Sequence, residues 1–172
     1  KTGLKKNSLL KDTSQQVQED KNKFAQKITA GKKAKISEDF MIIARIESLI
    51  LGKGVRDATE RAKKYVEAGA DAIMIHSKSN TPKEIFEFFK KIRKNFKNIP
   101  LVSVPTSYNK VNEDELSKNG FNIVIYANQL LRAAYPAMQI AANKILKYGR
   151  SKEIDKQLIS IEKILELIPG TK

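Results

Sequence analysis

Four apolar runs, each separated from the next by a helix-length polar stretch, constrain this chain more than any other feature. The first, FMIIARIE over 40–47, is almost continuously hydrophobic and ends in Arg45 and Glu47. A run of that length without alternation reads as a strand covered on both faces, as in parallel sheets. Arg45 and Glu47 are two residues apart, so both point to the same side of that strand. AIMIHS over 72–77 repeats the design and carries His76, the single histidine of the sequence. IPLVSV over 99–104 and FNIVIYA over 121–127 complete the set.

Between the runs the spacing predicts helices. Phe24, Ala25 and Ile28 mark a first helix over 19–30, with Gly31 as its stop. Ala58, Ala62, Tyr65 and Val66 share one face of a second, which Gly69 ends. Thr81 and Pro82 fit the N-cap and first position of a third, running to Phe96 with Ile85, Phe86, Phe89 and Ile92 on one stripe. A short helix over 113–117 follows, stopped by Gly120. After the fourth run, a helical turn begins at Gln129. Pro136 then breaks or restarts the pattern as the first residue of a helix to Tyr148, and a last helix is expected over 154–168. Residues 1–18 are polar and aperiodic, a loop.

Strand and helix alternating four times over require crossover connections and hence a parallel sheet. Four such units are half of an eight-stranded (β/α)8, TIM-type barrel, in which chemistry sits where the strands end. The competing architecture is a free-standing doubly wound sheet. It often carries a glycine-rich phosphate loop after its first strand, and Gly52-Lys53-Gly54 lacks the rest of that spacing. The expectation is a single domain over 1–172.

Composition narrows the function classes. There is no cysteine, which excludes a thiolate nucleophile and Cys-ligated zinc or iron–sulfur sites and suits a reducing cytoplasm. No apolar run is long enough to span a bilayer, so a membrane is not an expected partner. The net charge of +14 invites a nucleic-acid reading, but the lysines are scattered over every predicted helix with no interleaved stacking aromatics. Solvated helix faces account for them, although a non-catalytic basic binding module remains an alternative.

Five motifs in order carry a family resemblance: KKNS at 5–8, ARIE at 44–47, AGADAIMIHSK at 68–78, VPT at 104–106, and YAN at 126–128 followed by LRA at 131–133. Together they resemble the C-terminal half of the phosphoenolpyruvate mutase family of the isocitrate lyase superfamily, over nearly the whole chain. The resemblance implies a magnesium-dependent isomerase of phosphonate biosynthesis that interconverts phosphoenolpyruvate and phosphonopyruvate. It further implies a homo-oligomer in which the last helix is exchanged between subunits. Residues 1–18 match the family's gating loop, in which Lys5, Asn7 and Ser8 match residues that close over the substrate. Arg45 and His76 match strand-end residues that hold the moving phosphoryl group. Asn7, Arg45 and His76 are thereby the catalytic candidates, and Lys5, Ser8, Arg45 and His76 the substrate-binding ones.

The residue types suit that chemistry. Phosphoryl transfer through a loose transition state needs positioned donors around three oxygens and exclusion of water. Arginine offers a planar fork, asparagine an amide donor, and histidine a donor whose charge follows the local field. The family's Mg2+ ligands and catalytic aspartate lie on earlier strands, upstream of this chain, so the chain alone is expected to be inactive. The loop beyond Ser8 also departs from the family pattern, with KDTSQQ at 11–16 where a glycine-containing stretch is expected. Phosphonopyruvate hydrolase is the near alternative, but it typically has threonine at the position of Asn7. The superfamily's lyases carry a cysteine-bearing loop motif without counterpart here. Without the family, Arg45 reads equally as a salt-bridge partner of Glu47, His76 as a hydrogen-bonded core residue, and Thr106 and Asn128 as helix caps.

Overall fold

A computed structural model of the chain describes residues 12, 15–167 and 170. These fall into two compact units, 1–127 and 128–172, each described by itself. In the first, helices α1 (Lys21–Ala34), α2 (Gly54–Glu67), α3 (Lys83–Arg93) and α4 (Glu113–Lys118) alternate with strands β1 (Ile43–Ile46), β2 (Ala72–Ile75), β3 (Leu101–Ser103) and β4 (Ile123–Val124). The strands form one parallel sheet in the order β1-β2-β3-β4. Sequential parallel neighbours with a helix in every crossover are the arrangement of consecutive β/α-barrel units.

Register sorts the side chains onto two faces. Ala44 lies beside Ile73 and Ile73 beside Leu101, and Ile46 lies beside Ile75. These five are buried, and they meet Ala58, Ala62 and Tyr65 of α2 and Ile85, Phe88 and Ile92 of α3 in one core. On α3 the sheet-facing residue is therefore Phe88, which the expected stripe left out. Phe86 and Phe89 flank it and stack on Phe121, with centroids 6.5 and 5.7 Å away. The opposite face carries Ile43 and Arg45, then Met74, then Val102. On β1 that face is exposed, so burial alternates along the strand. Coverage on both faces, expected from the hydrophobic run, does not hold for β1 among the described residues: α2 and α3 pack on the face of Ala44 and Ile46, and Ile43 and Arg45 on the other stay exposed.

The strands are shorter than their apolar runs, and local hydrogen bonds show why. At the start of β1, the Ile42 N–H donates to Oδ2 of Asp71 (2.9 Å) while the Ile42 carbonyl accepts from the Asp71 N–H (2.8 Å). A side chain takes the place of a ladder bond there, and Phe40 and Met41 before it stay exposed. Pro100 has no N–H to donate, and ladder pairing of β3 begins at Leu101.

Two helix signals are overruled by packing. Gly31 does not stop α1, which continues to Ala34; a Cβ there would lie 3.3 Å from Ile42 Cδ1, so the missing side chain serves close approach. The helix starts instead from Asp20, whose carboxylate accepts from the N–H groups of Asn22 (2.8 Å) and Lys23 (3.0 Å). At α3, Pro82 occupies the N-cap position and not the first turn, and Thr81 contacts Ser79 without capping the helix; the helix ends at Arg93, short of Phe96.

In the second unit, α5 (Gln129–Tyr148) is continuous through Pro136. The proline removes one hydrogen bond without ending the helix, contrary to the expected break. Gly149, with a left-handed φ of 65°, closes α5 through its N–H to the Ile145 carbonyl. The expected single helix over 154–168 is two pieces: a 3-10 turn, Lys152–Gln157, and α6 (Ile161–Glu166), capped by Ser160. Leu158 is extended between them.

Candidate active site at the strand ends

Arg45 and Glu47 share a face and meet. Arg45 Nε donates to Glu47 Oε1 at 2.5 Å, with the arginine side chain 43% exposed and the carboxylate 9%. Ile46 pairs with Ile75, so carrying the register one residue on sets Glu47 beside His76. Arg45, Glu47 and His76 thus occupy one face at the C-terminal ends of β1 and β2. His76 is buried, at 3% exposed. Behind it Ser77, wholly buried, donates to the Glu84 carboxylate at the start of α3 and accepts from the Ser79 N–H (2.9 Å). The chain leaving β2 is thereby tied to the next helix at the residue after the histidine.

The third strand end is held by Tyr108, a fully buried phenol that accepts from the Val104 N–H at 3.2 Å. Burial pushes its hydroxyl up to about 12, so it stays neutral. Thr106 lies in the turn this contact braces, with its N–H on the Val104 carbonyl, and caps no helix. Asn128 stands at the N-cap position of α5, in the second unit, but makes no capping bond with its side chain. Lys5, Asn7 and Ser8 lie outside the described residues.

A small cleft of about 20 Å3, room for one water, opens beside Arg45 and Glu47 and is also lined by Gln18, Glu19, Arg61 and Tyr65. The residues behind it, Ser48, Asp57 and Arg61, escaped the sequence reading. Asp57 and Arg61 stand four apart on α2, a helical ion-pair spacing that was legible; Ser48 belongs to no pattern. Among the described residues, no three His, Asp or Glu side chains cluster to hold a metal ion. The described part of the chain does not fit a magnesium site.

Arg45 and His76 are the nitrogen-bearing side chains that the register brings to one face, and the Glu47 carboxylate accepts from Nε of the arginine. The sequence matches the profile of the phosphoenolpyruvate phosphomutase family over residues 5–146. It is 44% identical over 147 residues to phosphonopyruvate hydrolase of Variovorax sp. (strain Pal2), covering 84% of this chain and 49% of that protein. The fold superposes on the crystal structure of phosphoenolpyruvate phosphomutase from Streptomyces platensis subsp. rosaceus with a TM-score of 0.86 and 36% identity, over 95% of this chain and 55% of that one. A phosphonopyruvate hydrolase solved with oxalate and Mg++ gives a TM-score of 0.78 at 40% identity, over 91% and 54%. The chain therefore spans about half the length of these relatives and supplies four β/α units of a TIM-type barrel. Family profile and structural match agree over the stretch that carries both strand ends, and on that ground the chain belongs to the phosphoenolpyruvate phosphomutase family.

Proposed function

We propose that the complete protein interconverts phosphoenolpyruvate and phosphonopyruvate, and that this chain contributes the half of the site that grips the transferring phosphoryl group. The observation that carries this reading is the placement of Arg45 and His76 on one face at adjacent strand ends, with Glu47 aligning the arginine. Donors fixed before reaction stabilise the charge on the equatorial oxygens without reorganising, and the buried setting of His76 limits access of water. Lys5, Asn7 and Ser8 complete the grip from the loop over 1–18, in a single domain over 1–172.

Magnesium belongs to the same reading, with its ligands on strands outside this chain; the Mg++ in the solved hydrolase supports it. A cytoplasmic homo-oligomer engaged in phosphonate biosynthesis completes the proposal. Among the described residues no helix is long and apolar enough to cross a membrane. Large apolar side chains along α5 and α6, among them Leu130, Leu131, Leu146 and Ile161, are exposed and available to a neighbouring subunit.

The 44% identity to a phosphonopyruvate hydrolase favours a second reading, cleavage to pyruvate and phosphate. Incubating the full-length protein with phosphonopyruvate and magnesium and following phosphorus by NMR separates the two. Phosphoenolpyruvate as product supports the mutase, inorganic phosphate supports the hydrolase, and unchanged substrate overturns both.

A further inference from the structure

Behind Arg45 lies a partly buried polar chain that joins three segments. Ser48, with no exposed surface, donates through Oγ to Asp57 Oδ2 on the first turn of α2 (2.6 Å) and accepts from Gln18 Nε2 (3.1 Å). The same Asp57 oxygen accepts from Arg61 Nε (3.0 Å). Arg61, 6% exposed, donates from Nη1 to the Glu19 carbonyl (2.8 Å) and to the Tyr65 hydroxyl (3.0 Å). The strand end at 47–48, the first turns of α2 and the entry to α1 at 18–19 are therefore held by one connected set of hydrogen bonds. Gln18, Glu19, Arg45, Glu47 and Arg61 line the same water-sized cleft.

Stability alone does not account for such an arrangement. The Arg61–Asp57 pair, with the arginine side chain 7% exposed and the carboxylate 28%, gains little net stability, because desolvation of the arginine offsets the attraction. Its distinctive property is direction. The Arg61 fork serves the Asp57 carboxylate and the Tyr65 phenol on its own helix and the Glu19 carbonyl at the entry to α1, and its planar donors fix those directions. The bond from Ser48 to Asp57 ties this Arg61-braced helix to the residue next to Glu47, and Glu47 in turn holds Nε of Arg45.

We propose that Arg61 and Ser48 are positioning residues for Arg45, setting from behind the place of the guanidinium that faces the strand-end site. The consequence for turnover rests on the function proposed above; the consequence for Arg45 itself does not. In the full-length protein, Arg61→Lys keeps the charge but loses the planar fork that meets its three acceptors from fixed directions, and Ser48→Ala removes the link between Asp57 and Gln18 at little cost in volume. Two readouts are needed beside the melting temperature: turnover of phosphonopyruvate, and hydrogen exchange of the Arg45 Nε–H, observed by nitrogen-15 NMR and assigned by its loss in Arg45→Lys. The expected result for Ser48→Ala is faster exchange at Arg45 and turnover lowered about tenfold, since small misplacements of a catalytic donor are costly. Arg61→Lys should do more of both if it folds. Unchanged exchange overturns the proposal whatever the melting temperature does, and so does unchanged turnover in a wild-type protein that is active. A wild-type protein without mutase or hydrolase activity removes the functional reading only, and the exchange measurement then decides by itself.

Discussion

Arg45 and Glu47 are joined by a 2.5 Å hydrogen bond from Nε to Oε1 at the end of β1, so the side chain proposed to grip the phosphoryl group is also a salt-bridge partner. The two meanings open to this arginine, structural partner and phosphoryl ligand, are compatible. A guanidinium carries five N–H donors, and the bond to Glu47 uses the one nearest the backbone. With its side chain 43% exposed, the arginine gains little stability from that bond, whereas the restriction on its direction is large.

Arg45→Lys tests this in the full-length protein. Lysine keeps the charge but loses the planar fork, and a charged hydrogen bond lost where water is excluded is worth roughly 2 to 4 kcal/mol. Turnover should fall about a hundredfold while the melting temperature stays near that of the wild type. Near-normal turnover with a lowered melting temperature would overturn the assignment.

Asn7→Thr addresses the choice between mutase and hydrolase. If the amide at position 7 retains the transferring group for return to carbon or oxygen, threonine should raise the share of inorganic phosphate among the products at the expense of phosphoenolpyruvate. An unchanged product ratio would show that position 7 does not discriminate.

What the sequence disclosed, and what it withheld, follows from the range of the forces. Arg45 and Glu47 could be set on one side because side-chain parity is local, and His76 at a strand end because the apolar runs fix where the strands end. The register aligning the ends of β1 and β2 needs both strands and is invisible in either. Ser48 and Arg61 matter through Gln18, Glu19, Asp57 and Tyr65, partners that converge only when α2 packs beside α1 and β1. Gly31 and Pro136 act differently from what their local propensity predicts for the same reason. Each weakens a helix locally, and each helix continues through it.

Gly120 is the glycine whose replacement should cost most. A Cβ there would lie 1.8 Å from Phe89 Cζ, and its φ of 83° suits no ordinary side chain. Backbone strain and displacement of Phe89 from its stack on Phe121 should together remove about 3 kcal/mol. Urea denaturation of Gly120→Ala should show a much lower midpoint, with product ratios unaltered in whatever protein folds. A wild-type midpoint would mean that Phe89 swings away freely.

Asp71 provides a pH-dependent anchor at the other end of β1. Its carboxylate accepts from Lys32 Nζ at 2.6 Å and from the Ile42 N–H at 2.9 Å. Those two bonds, the lysine's first, hold its carboxyl below the ordinary value of 3.8. A carboxyl depressed by folding binds its proton less readily in the folded state than in the unfolded one. Its contribution is therefore complete above the ordinary value and is lost as pH falls through the lower, folded one. Asp71→Asn removes this titration, and since the pair is partly solvent-exposed the variant should be less stable by only about 1 kcal/mol near neutrality. From neutrality down to about pH 5 the gap in urea midpoint should be constant, and below that it should narrow as the wild-type carboxyl takes up its proton. A gap that persists unchanged to pH 3 would show that Asp71 titrates alike in the folded and unfolded chains, leaving the Lys32 bridge without influence on stability.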